Sequence, residues 1–313
     1  MRTYRSSRLA SPDPHAGWDT ALEHFFWDRL EPAFEEALHA GIGVQGQFSI
    51  WLRVIEAEYR TRVSSQIESL ATWLDLEYVP EEVGEHVEIL KGLVLQGCQE
   101  AARHLDFAHG TKVLVSVLAL ETQAPWLEGR FGYFEDKYPY DKICVPPIYR
   151  ENPVEFLRTI RHEYAHAINL QLSEGKTPRW LDEAIAMVVA SESDAEARDA
   201  FLRGQAPWRD PHDLDRAFQI HQADVDRQSQ LWYAYQQSAW LGRYLEQIEG
   251  EHKLTLLLRA FSNNDFWTDL KLRLLRRDPA DEALTETYGI SESKLFSQAF
   301  EWLGSSEAQI ASS

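Results

Sequence analysis

Cysteine is nearly absent: Cys98 and Cys144 are the only two among 313 residues. They lie far apart and neither has a metal-site partner at ligand spacing. Buried free thiols are expected rather than a disulfide framework. Positive charge is also scarce. Lys and Arg number 31 against 50 Asp and Glu, a net charge of -19. Phosphate backbones are bound by clustered cations, so no nucleic-acid partner is expected. No apolar run reaches the roughly 18 residues of a membrane span. Residues Met1 to Arg8 are basic, but Ser11-Pro12-Asp13-Pro14-His15 follows in place of the apolar stretch of a secretory signal. A cytoplasmic location is therefore expected.

Apolar and aromatic residues are plentiful. With 11 Trp, 14 Phe and 12 Tyr, the chain can fill one large core or two modest ones. Its first zone reads as helical. Trp18, Leu22, Phe25, Phe26 and Leu30 form an amphipathic start that Pro32 interrupts, and Gly41 to Gly46 reads as a turn. Leu52, Ile55, Tyr59, Val63, Ile67, Leu70 and Leu74 then keep helical spacing. Val83, Val87, Leu90, Val94, Cys98, Ala101 and Leu105 do so again after Pro80. A middle zone carries strand signals: the β-branched run Val113–Leu120, then Phe131–Phe134 and Ile143–Val145. The last zone, from about Asp213 to Leu303, is helical again.

Between the strands and this last zone, residues 162–166 read His162-Glu163-Tyr164-Ala165-His166. Two histidines four apart on a helix share one face, and that spacing lets two imidazoles bind one metal ion. The helix that carries them is well marked. Asn152 can cap it, Pro153 suits its first position, Glu155 completes a capping-box-like start and Gly175 fits the stop. Its wide apolar stripe implies burial on much of its circumference. A catalytic zinc usually takes three protein ligands and keeps one position open. A metzincin would need Gly at position 169 and His at 172, but the chain has Asn169 and Leu172. The other common solution is a glutamate on a second helix, and Asp182 and Glu183 open the next apolar helical run.

The His-Glu-x-x-His motif with Pro178-Arg179-Trp180-Leu181-Asp182-Glu183-Ala184-Ile185-Ala186 resembles the gluzincin, or MA-type, metallopeptidase domain. The resemblance covers about residues 110–303. It implies one Zn2+ ion held by His162, His166 and Glu183, with Glu163 as general base. The chain departs from the family at Ala184, where glycine is usual. It departs again at Met187, where thermolysin-type members carry an aspartate that orients a histidine ligand. Asn169 and Asp182 are candidates for that orienting role. Tyr233-Ala234-Tyr235-Gln236-Gln237-Ser238 is similar to a second block of the family, in which the tyrosine matching Tyr235 donates to an oxyanion. His221 is a further candidate. Tyr288-Gly289-Ile290-Ser291 resembles the turn before a closing terminal helix.

The fold expected is α+β and mostly helical. A small mixed β-sheet precedes the zincin-type helix, and a helical subdomain closes the C-terminus. The division expected is a helical region over 1–108, a metallopeptidase domain over 109–303 and a frayed tail over 304–313. The activity the resemblance implies is zinc-dependent hydrolysis of a peptide or protein substrate. Two readings compete with it: a catalytically silent peptidase-like binding or scaffold protein, and a helical scaffold whose motif is accidental.

Overall fold

The computed structural model describes residues 16–41, 47–119, 132–218, 225–262 and 278–305. Three helices come first: α1 (Ala16–Phe26), α2 (Leu30–Gly41) and α3 (Gln47–Ser64). The break after α1 falls at Asp28, which takes a positive φ of 52°. Pro32 lies within the first turn of α2, where its missing N–H would have had no helical partner anyway. The helical spacing expected through Ile67, Leu70 and Leu74 does not continue. Residues Gln66–Ala71 and Leu74–Tyr78 are instead strands β1 and β2, paired antiparallel. In Leu74-Asp75-Leu76-Glu77-Tyr78 apolar and polar residues alternate, and this period of two is the one the sheet selects.

A short helix α4 (Pro80–Val83) leads to α5 (Val87–His104), and β3 (Val113–Val117), β4 (Tyr133–Glu135) and β5 (Asp141–Val145) complete the sheet. The strand order is β1-β2-β3-β5-β4. Strands β2, β3 and β5 are parallel, with β1 and β4 antiparallel at the edges. Strand β3 is buried over its whole length, which is why it reads Val-Leu-Val-Ser-Val rather than strictly alternating. The sheet draws strands from both sides of residue 108. The architecture is thus mostly helical with one five-stranded mixed sheet, as the sequence leads one to expect.

The two sheet faces differ in chemistry. Leu76, Val115 and Ile143 are register partners, and they join Leu90, Val94, Phe156 and Ile160 in the main core under α5 and α6 (Pro153–Ser173). Burying a side chain such as Phe156 contributes roughly 1.5–3 kcal/mol. Glu77, Ser116 and Cys144, also register partners, point the other way. There α3 and the turn after α1 meet the sheet through buried charges. Lys142 Nζ lies 2.8 Å from Glu58 Oε2 and 3.3 Å from Glu77 Oε2, and Lys137 Nζ lies 2.6 Å from Glu58 Oε2. Arg62 pairs with Glu77 and, at 2.9 Å, with Asp28. Tyr133 donates to Glu58 at 3.2 Å and Tyr140 to Asp28 at 2.7 Å. Burial pushes the Glu77 carboxyl up, but Lys142 and Arg62 outweigh it and hold it at about 2. Buried charges persist in proteins when matched this way.

Helix α6 opens as its sequence spells: the Asn152 side chain accepts from the Glu155 N–H at 3.1 Å, with Pro153 first in the helix. It closes with Glu174 and Gly175 both at positive φ. After it come α7 (Arg179–Val189), α8 (Ala195–Leu202), α9 (Pro211–Ala217), α10 (Val225–Glu249) and α11 (Glu251–Ser262), then α12 (Pro279–Tyr288) and α13 (Glu292–Leu303). Helix α10 lies along α7, and a Cβ at Gly242 would stand 2.5 Å from the Ala184 carbonyl oxygen. Gly242 therefore supplies the close approach, and Ala184 fits within it. Among the described residues no helix is long and apolar enough to cross a membrane.

Candidate metal centre

A short turn after Gly175 folds α7 back onto α6. His162 and His166 stand one turn apart on α6 with their Nε2 atoms 3.2 Å from each other. Glu183 of α7 brings Oε2 to 3.5 Å from each of those nitrogens. An ion with tetrahedral bonds of about 2.0–2.1 Å keeps its ligand atoms about 3.3 Å apart, so the three distances fit one ion. Glu183 is 1% exposed, and its Oε2 is enclosed without a hydrogen bond. Such a buried acceptor calls for a cation. His162, His166 and Glu183 therefore form a buried group able to hold a metal ion. Two imidazoles and a carboxylate are a donor set that suits zinc. A second group, His104 with Glu246 and Glu251, is more exposed and lies where α5, α10 and α11 meet.

The candidate ligands are held from behind. His166 Nδ1 lies 3.0 Å from Asp182 Oδ1. Asn169 Nδ2 donates to that same oxygen at 3.0 Å and to the Asp182 carbonyl at 3.1 Å. The two candidate orienting residues thus act in series on one histidine. The other histidine uses a residue that sequence reasoning missed: His162 Nδ1 lies 3.4 Å from Glu192 Oε1. Met187 is buried and apolar. Glu192 comes from beyond the end of α7, where Ser191 adopts a φ of 58° and the Glu192 N–H donates to the Met187 carbonyl at 2.7 Å. No helical periodicity marks that position, because only the turn places it.

Arg179 was missed too, although its spacing of four from Glu183 on one helix was a usable signal. Its Nη2 makes an ion pair of 2.6 Å with Glu183 Oε1, and its Nη1 lies 3.7 Å from Asp182 Oδ2. Burial pushes the Glu183 carboxyl up, but Arg179 and His166 outweigh it and hold it well below the carboxylate range. Burial also acts to neutralise both imidazoles. Glu192 and Glu183 nevertheless hold His162 well above its ordinary value, and Asp182 and Glu183 hold His166 at about 9. The surround stabilises positive charge at these nitrogens, and a divalent cation meets the same field.

Glu163 is buried beside this group. Gly132 passes over it: a Cβ there would lie 3.2 Å from Glu163 Cγ and 2.9 Å from Thr159 Cγ2. Two residues on, Phe134 of edge strand β4 lays its ring near-parallel to His166, with centroids 6.4 Å apart. Tyr235 of α10 is half-buried, its ring edge-on to Phe218 at 5.1 Å. Its hydroxyl hydrogen-bonds the Arg179 guanidinium. His221 lies outside the described residues. In comparisons with family models, curated proteins and solved structures, nothing matches this chain.

Proposed function

We propose that this chain is a zinc-dependent metallopeptidase of the gluzincin type, hydrolysing peptide bonds in a peptide or protein substrate. The observation that carries this reading is the convergence of His162, His166 and Glu183 at 3.2–3.5 Å with the Glu163 carboxylate next to it. A structural zinc site closes all four positions with protein ligands, and it needs no adjacent base.

A zinc ion held there would supply Lewis acidity toward a carbonyl and toward water. The protein's own part is proton handling and placement. Glu163 takes a proton from the attacking water and returns it to the leaving amine. Its site under Gly132 keeps bulk water from one side of the carboxylate. Tyr235, on α10 beside Arg179, is the group we assign to donate its hydroxyl to an oxyanion. Strand β4 carries Phe134 beside His166, and we assign it to line the bound peptide.

The test pairs metal analysis with an unbiased peptide-cleavage profile of wild type and Glu163→Gln. The variant keeps its metal and loses turnover. Equal cleavage by both proteins, or no cleavage by a fully metallated wild type, would overturn the peptidase reading.

A further inference from the structure

Arg179 touches the supports of two ligands at once. One terminal nitrogen pairs with Oε1 of Glu183 at 2.6 Å, and the other lies 3.7 Å from Asp182, the carboxylate that holds His166. The oxygen of Glu183 that Arg179 leaves alone is Oε2, the one facing both histidines. Arg179 is itself bound from α10 by the Tyr235 hydroxyl. A guanidinium is a planar fork that can engage several oxygens in fixed directions, whereas an ammonium is a point charge on a flexible stem.

We propose that Arg179 is a positioning residue: held by Tyr235, it occupies Oε1 of Glu183 so that the carboxylate presents one oxygen, not two, to the metal. Without that pair, Oε1 is released to turn toward the metal beside Oε2. The inference rests on the metal-centre reading above and adds to it a residue outside the ligand set. It also gives α10 a role at the centre, because Tyr235 acts on Glu183 through Arg179.

The test uses Co2+ as a spectroscopic stand-in for zinc in the full chain, since its visible bands report the number and geometry of donor atoms. Arg179→Met shifts and weakens these bands relative to wild type as Glu183 becomes a two-oxygen ligand. Arg179→Lys keeps the charge but not the fork, and shows the same altered bands. Tyr235→Phe removes one oxygen only and shifts the bands in the same direction by less. Circular dichroism of each protein checks folding, and Tyr235→Phe carries the test if the Arg179 variants do not fold. Wild-type bands in Arg179→Met would overturn the proposal. Wild-type bands in Arg179→Lys would overturn it as well, because charge alone would then suffice. Wild-type bands in Tyr235→Phe would overturn the part assigned to α10. A wild-type protein that takes up neither Co2+ nor Zn2+ would sink the metal-centre reading itself, and this inference with it.

Discussion

Glu192 sets its carboxylate 3.4 Å from Nδ1 of His162, reaching back from beyond the end of α7 to a candidate ligand on α6. A carboxylate on the far nitrogen of a metal-binding imidazole fixes the ring's tautomer and orientation and raises its basicity. Glu192→Gln is expected to weaken zinc binding by about 10–100-fold while the fold is retained. Chelator-competition titration of zinc reads this directly. Met187→Leu, at the position where the resemblance would place the orienting group, is expected to leave zinc affinity unchanged.

Metal binding to the folded chain alone must stabilise it. Zinc at about a hundred times its Kd adds about 2.7 kcal/mol, seen as a rise in Tm that a chelator reverses. His166→Ala removes one ligand of three and is expected to show no such rise. A zinc-dependent rise of wild-type size in that variant would place the ion elsewhere.

Lys142 is wholly buried between Glu58 and Glu77. Lys142→Met leaves these carboxylates short of a cation, and breaking a buried pair costs about 3–5 kcal/mol. The Glu58→Leu and Lys142→Met double change is expected to cost less than the sum of its single changes. A double-mutant cycle in urea, with ΔG extrapolated to water, measures that coupling.

Glu292 anchors the start of α7 by accepting from the Trp180 indole N–H at 3.0 Å. Burial, with Asp278 adding to it, pushes its carboxyl from the ordinary 4.5 up to about 7. The folded state thus holds this proton more tightly than the unfolded chain. Its contribution is fully present below pH 4.5 and is lost as pH rises through about 7. The size is at most about 3 kcal/mol. Glu292→Gln is expected to flatten the fall of Tm between pH 5 and pH 8, and to leave the variant the more stable protein at the upper end. Parallel slopes for the two proteins would show that Glu292 stays ionised in the fold.

The centre was largely legible where its chemistry is local. Asn152, Pro153 and Gly175 bound α6 closely, and the spacing of His162 and His166 is a property of any helix. The acidic pair Asp182 and Glu183 at the start of the next helix is visible in the sequence, but the choice of Glu183 comes from the resemblance, because its place beside the histidines depends on how the turn after Gly175 folds α7 back. Glu192 is delivered by a left-handed Ser191, and Arg179 stands four residues from Glu183 as any ordinary surface ion pair on a helix does, so neither stands out in the sequence. The segment that forms strands β1 and β2 reads as helix in the sequence. Ile67, Leu70 and Leu74 keep a helical spacing, whereas Leu74, Leu76 and Tyr78 keep an extended one, and the pairing of β2 with β1 and β3 selects the second. The charge cluster left no sequence signature at all. Its members come from α3, β2, β5 and the loops after α1 and β4, and each alone looks like an ordinary surface charge.

Neighbouring residues in β4 and just before it link this cluster to the centre. Gly132 lies over Glu163 and Phe134 beside His166, while Tyr133 between them donates to Glu58 on the other face of the sheet. A mutational scan scored only by activity would therefore flag Glu58 as though it belonged to the reaction. The same scan scored for folding would separate the two: Glu163 would vanish from its list of sensitive positions, and Glu58 would remain.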